Sequence, residues 1–191
     1  MKYRNTDKTD FGVLGLGVMG SALGENLLKK GFRLSVYNRE TENESGVVDS
    51  FLSKCTTESN VNGFINLAEF VESIKTPRSI LIMIKAGNAI DQTLEQLIPL
   101  LSNGDIILDG GNSHYLDTEK RIAKMKNHNI NFLGVGISGG EKGARNGPSI
   151  MPGGSPDGYS MVSTILESIS AKDSGGKPCC TFIGKGDLVI M

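Results

Sequence analysis

Gly15-Leu16-Gly17-Val18-Met19-Gly20 opens at the end of a short apolar run, residues 11–16, and leads directly into an amphipathic one, residues 21–30. Few folds accept glycine at the first, third and sixth positions of a strand-to-helix turn. The first glycine permits the tight turn, the second lets backbone come close to a pyrophosphate, and the third lets helix and strand pack closely. A pyrophosphate there would meet free N–H groups at the positive end of the helix. The turn therefore points to a parallel α/β unit and a dinucleotide ligand. A glycine-rich turn without a ligand is the competing reading.

Beyond the turn, short apolar runs rich in β-formers alternate with longer amphipathic runs, the pattern of βαβ units in a mostly parallel sheet. Strands are expected at 11–16, 33–37, 79–84, 105–108, 131–135 and 180–183, and helices at 21–30, 47–54, 67–74, 89–101, 116–127 and 159–169. Residues 56–62 and 171–177 read as loops, and 134–158 as a stretch with nine glycines and no assigned element. The expected fold class is α/β, a Rossmann-type doubly wound, mostly parallel sheet with flanking helices. Residues 1–191 read as one domain with no internal boundary.

Composition removes several other classes. Glycine is 25 of 191 residues, roughly double the ~7% average, but there is no Gly-X-Y period. With 38% hydrophobic and 21% charged residues the chain is globular rather than disordered. A net charge of −1 supplies no general field for nucleic acid or an anionic membrane. The longest apolar stretch, residues 80–84, is far short of the ~20 residues of a bilayer span, and residues 1–10 lack the apolar core of a signal peptide. A cytoplasmic protein with a small-molecule partner is expected. Cys55, Cys179 and Cys180 are too few and too badly spaced for a disulfide framework or a zinc site, so no metal is expected.

The end of the second expected strand bears on the choice of dinucleotide. NAD sites usually place Asp or Glu there for the ribose 2′-OH, whereas a 2′-phosphate calls for a cation. Here the residues are Tyr37-Asn38-Arg39. Asn38 is neutral, and Arg39 can pair with a phosphate and lie flat on adenine, so NADP is favoured. Glu40 is an awkward neighbour for a dianion, and Arg39 as a plain solvated charge remains the alternative. Asn112 and Ser138 follow expected strands, at the carboxyl ends where open α/β sheets bind ligands. Gly110, Gly111, Gly139 and Gly140 beside them would expose backbone N–H groups to a substrate. The competing reading makes Asn112 and Ser138 ordinary turn residues. Asp109 is expected to organise the turn that presents Asn112, and His114 beside it reads as a solvated loop residue.

Three further segments are more specific: Ile84-Lys85-Ala86-Gly87, Leu108-Asp109-Gly110-Gly111-Asn112-Ser113, and Gly136-Ile137-Ser138-Gly139-Gly140-Glu141-Lys142-Gly143-Ala144-Arg145-Asn146-Gly147-Pro148-Ser149-Ile150-Met151-Pro152-Gly153-Gly154. With the glycine turn and Tyr37-Asn38-Arg39, in this order and spacing, they closely resemble the amino-terminal coenzyme domain of decarboxylating 6-phosphogluconate dehydrogenases, over nearly the whole chain. The resemblance implies that Gly15, Leu16, Gly17, Val18, Met19 and Gly20 cradle NADP, with Asn38 and Arg39 at the 2′-phosphate. Ile84, Lys85 and Ala89 would line the coenzyme cleft. Asn112 would touch both nicotinamide and sugar acid, and Ser138, Gly139 and Gly140 would hold 6-phosphogluconate. Glu40 departs from the family, which usually has Thr after the Asn-Arg pair.

The implied activity is oxidation of the C3 hydroxyl of 6-phosphogluconate by NADP, then loss of carbon dioxide to give ribulose 5-phosphate, a step of the pentose phosphate pathway. In that family a lysine and a glutamate from a later helix, reading approximately KMVHNGIEY, move the protons. Here Ile183-Gly184 is followed by Lys185-Gly186-Asp187-Leu188-Val189-Ile190-Met191. No catalytic residue is therefore expected in the chain, Lys185 not being at the matching position. The helical domain through which the family dimerises is expected to be missing, the chain to be inactive alone, and residues 188–191 to expose apolar surface. The alternatives are a catalytically silent NADP-binding or regulatory module and a related β-hydroxyacid dehydrogenase. Those relatives lack the Asp-Gly-Gly-Asn-Ser run and the extension that follows Gly143.

Overall fold

A computed structural model describes residues 7–42, 44–56 and 60–184. Strand β1 (Phe11–Leu14) passes through the glycine turn into helix α1 (Val18–Lys29). The chain continues as β2 (Leu34–Tyr37), α2 (Val47–Lys54), β3 (Val61–Phe64), α3 (Leu67–Glu72), β4 (Ser79–Ile82), α4 (Asn88–Leu97), β5 (Ile106–Asp109), α5 (Tyr115–Lys126), β6 (Asn131–Ser138), α6 (Gly140–Asn146), β7 (Ser149–Gly154) and α7 (Pro156–Ile169). A 3-10 turn, Ile98–Leu100, prolongs α4. The seven strands form one sheet in the order β3-β2-β1-β4-β5-β6-β7. All pairs are parallel except the last, in which β7 runs antiparallel to β6. This is the doubly wound arrangement expected. Strand order reverses between β1 and β4, which opens a crevice above their carboxyl ends.

Both faces of the sheet are buried, and alternate side chains of each strand serve opposite faces. Phe11, Val13, Leu81, Ile106, Leu108, Leu133 and Val135 face one side, where they pack with Leu23 and Leu27 of α1, Phe51 of α2, Ala144 of α6 and Val162 and Leu166 of α7. Leu14, Ile80, Ile82, Ile107 and Phe132 face the other, with Phe70 of α3, Ile90 and Leu94 of α4 and Met125 of α5. Among the described residues no helix is long and apolar enough to cross a membrane.

The element pattern departs from expectation in four places. Val61–Phe64 is an edge strand rather than loop, paired with β2 from Leu34↔Val61 to Tyr37↔Phe64. Its sequence does not alternate because Gly63 lies against α2, where a Cβ would stand 2.6 Å from Cγ1 of Val48. Residues 140–146 form a helix although two of its seven residues are glycine, a composition with poor propensity. Tertiary contact overrides this: Ala144 is buried, and its carbonyl accepts a hydrogen bond from Nδ2 of Asn26. Ser149–Gly154 is a strand despite Pro152, and it extends β6 to Ser138, three residues past the expected end. Residues 180–183, expected as a strand, run beside β7 with a single bridge, Ile150↔Cys180. Thr181 and Ile183 donate to the carbonyls of Ile150 and Pro152, and Ile150 donates to Cys179. Pro152 has no N–H to return, so the ladder breaks there. Lys185 and the apolar residues 188–191 lie outside the described residues.

Candidate coenzyme and substrate site

Two glycines of the turn meet separate steric demands. Gly15 has φ 96°, and a Cβ on it would lie 2.6 Å from the carbonyl oxygen of Met83. A Cβ on Gly20 would lie 1.9 Å from the Gly15 carbonyl oxygen, so α1 can close on the turn only without a side chain there. Gly17 differs. Its backbone is extended, and a Cβ would meet nothing of the protein within 4 Å. Gly17 is also the N-cap of α1 and offers no side-chain cap. The first amides of the helix, which have no intrahelical acceptors, therefore lack a side-chain cap at the positive end of the dipole. Val18 is 65% exposed at that end.

A cleft of about 430 Å³ opens beside this turn at the β1/β4 reversal, within the range of small-molecule sites. It brings together Gly15, Leu16 and Gly17 with Asn38 and Arg39 from the end of β2, Ile84 and Lys85 from the β4–α4 connection, and Ala89 from the first turn of α4. Val18, Met19 and Gly20 follow in the first turn of α1 and do not line it. Asn38 ties the glycine turn to the end of β2. Its Oδ1 accepts from the N–H of Leu16 at 3.0 Å, and its Nδ2 donates to the Arg39 carbonyl at 2.9 Å. Arg39 is 68% exposed and forms a two-pronged ion pair with Glu44, Nε to Oε2 at 2.9 Å and a terminal nitrogen to Oε1 at 3.1 Å. The acidic neighbour of the guanidinium is therefore Glu44, not the adjacent Glu40. Hydrogen bonding from Arg39 holds the Glu44 carboxyl below its ordinary pKa, and Glu44 in turn raises that of Arg39.

Sequence reasoning missed other lining residues: Glu44 and Val47 before and at the start of α2, Leu67 of α3, and Gln92, Thr93 and Gln96 of α4. The α4 residues had a readable signal. They recur at helical spacing on a face flanking Ile90, Leu94 and Leu97, whose side chains are fully buried. Glu44 had none, because its place depends on the path of the loop into α2.

Asn112, Ser138, Gly139 and Gly140 lie outside this cleft, along the carboxyl edge of β5 and β6. Asn112 takes a left-handed φ of 64° in the loop after β5, a conformation Asn tolerates better than most residues. Asp109 builds this loop as expected: Oδ1 accepts from the Gly111 N–H at 3.0 Å and Oδ2 from the Ser113 hydroxyl at 2.7 Å. Gly110 and Gly111 do not present open backbone. A Cβ on Gly110 would lie 2.5 Å from Sδ of Met83, and one on Gly111 the same distance from the Ile84 carbonyl oxygen. These glycines are required for packing the loop against the β4–α4 connection. Gly140 is open, since a Cβ on it would meet nothing of the protein within 4 Å, and Gly139 is the uncapped start of α6. Ser138 is exposed at the end of β6. His114 caps α5, its Nδ1 accepting from the Leu116 N–H.

One residue joins the two regions, and nothing in the sequence singled it out. Arg121 of α5 is 2% exposed. It donates to Asp109 at 3.1 Å and Ser113 at 2.8 Å on the Asn112 side, and to the Gly87 carbonyl at 3.1 Å and Asp91 at 2.7 and 3.0 Å on the Lys85 side. Hydrogen bonding from Arg121 lowers the Asp91 pKa. Among the described residues no three His, Cys, Asp or Glu side chains are grouped to hold a metal ion.

Comparison with known proteins extends these observations. A family model described as the NAD binding domain of 6-phosphogluconate dehydrogenase matches residues 10–184. The chain is 48% identical over 177 residues to the Bacillus subtilis "6-phosphogluconate dehydrogenase, NADP(+)-dependent, decarboxylating", with 93% of this chain and 36% of the relative aligned. Among solved structures it resembles Plasmodium falciparum 6-phosphogluconate dehydrogenase, described in apo form and in complexes with NADP+ and with 6-phosphogluconate. That match has a TM-score of 0.83 and 41% identity, and covers 93% of this chain and 37% of the other. Mycobacterium tuberculosis 3-hydroxyisobutyrate dehydrogenase, at TM-score 0.76 and 19% identity over 94% of this chain and 55% of the other, shares the fold alone. The chain spans about a third of the length of the curated relatives it matches. With the family match reaching from β1 through the segment beside β7, the chain belongs to the family of NAD binding domains of 6-phosphogluconate dehydrogenase.

Proposed function

We propose that the chain binds NADP+ across the β1/β4 crevice and supplies the coenzyme half of the oxidative decarboxylation of 6-phosphogluconate. The observation that carries this reading is the open space over Gly17 at the start of α1, whose first amides have no side-chain cap. A pyrophosphate suits those donors in charge and size. Asn38 and Arg39 at the end of β2 suit a 2′-phosphate, with a guanidinium where NAD sites carry a carboxylate. The Bacillus relative is named for NADP(+), and the Plasmodium structure is described with NADP+ and 6-phosphogluconate.

When bound, the nicotinamide would supply a hydride acceptor. The chain's own residues bind and orient. In this reading Ile84, Lys85 and Ala89 line the coenzyme cleft, and Asn112 presents its carboxamide from a loop fixed by Asp109 and Arg121. The Ser138 hydroxyl and the backbone at Gly139 and Gly140 meet the hydroxyl and carboxylate groups of the sugar acid. No proton transfer is assigned to a residue of this chain. The assignment at Asn112 and Ser138 rests on the family resemblance together with their position on the carboxyl edge of the sheet.

The test is Gly17→Val. A Cβ at this position meets no protein atom within 4 Å, so the thermal unfolding midpoint is expected to stay within a few degrees of the unsubstituted chain while NADP+ binding, followed by calorimetry, is lost. Retention of NADP+ binding by this variant would overturn the placement of the pyrophosphate.

A further inference from the structure

Of the two residues proposed for the 2′-phosphate, Asn38 and Arg39, the second already holds an anion that belongs to the protein. Arg39 grips both carboxylate oxygens of Glu44, at 2.9 and 3.1 Å, the fork geometry a guanidinium uses on phosphate. Hydrogen bonding from Arg39 holds that carboxyl below its ordinary pKa. Glu44 lines the cleft beside Asn38 and Arg39. Its own N–H donates to the Thr41 carbonyl at 3.0 Å. Two residues later Gly46, at φ 71°, turns the chain into α2. Glu44 therefore reaches Arg39 from a short turn that leads into a packed helix.

We infer that Glu44 acts as an internal competitor for the 2′-phosphate, occupying the Arg39 fork in the free protein and setting how strongly the site prefers NADP+ to NAD+. The inference rests on the NADP+ reading above. Glu44 holds Nε and one terminal nitrogen of Arg39, so a 2′-phosphate can take that edge of the guanidinium only when Glu44 releases it, and the two anions repel when both are present. Exposure sets the size of the effect. Arg39 is 68% and Glu44 38% exposed, so solvent screens the pair, and such pairs are weak. Glu44 weakens NADP+ binding without blocking it. NAD+ offers a neutral 2′-OH, for which a carboxylate near the strand end is an acceptor rather than a rival.

Calorimetric titration of the 191-residue chain and its Glu44→Gln variant with NADP+ and with NAD+ tests this. The variant is expected to bind NADP+ about two- to five-fold more tightly and to gain nothing for NAD+. In an Arg39→Ala background the same substitution is expected to give no NADP+ gain. Unchanged or weaker NADP+ binding by Glu44→Gln, where the parent chain does bind NADP+, overturns the competitor role and leaves the coenzyme reading standing. An equal gain for NAD+ overturns it too, since the effect would then not concern the 2′-phosphate. Failure of both proteins to bind NADP+ overturns both.

Discussion

Arg121 lies between Asp109 and Asp91 with its guanidinium donors shared among Asp109, Ser113, Gly87 and Asp91. Asp109 is fully buried. A carboxylate stripped of its partner in such a place costs far more than the ion pair gains, because water cannot replace the lost bonds. Arg121→Ala is expected to lower unfolding free energy by about 3–5 kcal/mol, read from the urea midpoint. Arg121→Lys keeps the charge but not the planar fork and should fall between the two. The sequence contained the reason for Asp109, a carboxylate heading a Gly-Gly-Asn turn, but not for Arg121. In an amphipathic helix with Lys120, Lys124 and Lys126, an arginine reads as one more solvated cation. Its burial follows from the packing of α5 against β6, which brings Arg121 to Asp109 at the end of β5 and to Gly87 and Asp91 at the start of α4.

Elements with a strong period were legible, and those stabilised by distant contacts were not. The strands at the centre of the sheet are runs of apolar residues buried on both faces, and α1, α4 and α7 carry clear apolar stripes. Helix α6 has neither property and depends on α1. Asn26, inside α1 and 2% exposed, donates through Nδ2 to the Ala144 carbonyl of α6 at 3.0 Å and to the Ile169 carbonyl ending α7 at 2.9 Å. Arg145 of α6 also pairs with Glu25 of α1. Asn26→Leu removes one donor from two carbonyls at once, with an expected loss of ~1–3 kcal/mol or more. Hydrogen exchange should show α6 amides losing protection in this variant while β1, β4 and β5 keep theirs. Within the glycine turn the sequence carried most of what the structure contains, since Gly15 and Gly20 have separate steric causes and Gly17 leaves the start of α1 open. The contact of Glu44 with Arg39 could not be read, because a loop separates them in sequence and only the path into α2 brings them together.

At the scale of the whole molecule, a seven-stranded sheet reverses its strand order beside a turn whose amides are uncapped, and a guanidinium stands at the end of the neighbouring strand. That combination, within a chain covering about a third of its curated relatives, describes a coenzyme-binding unit. The central claim is that this unit recognises NADP+ through its 2′-phosphate. Calorimetry of the unsubstituted chain with NADP+ and NAD+ in parallel tests it most directly. One NADP+ per chain, held at least about ten-fold more tightly than NAD+, or ~1.4 kcal/mol, is the expected result. Equal or tighter binding of NAD+, or no binding of either, would contradict it.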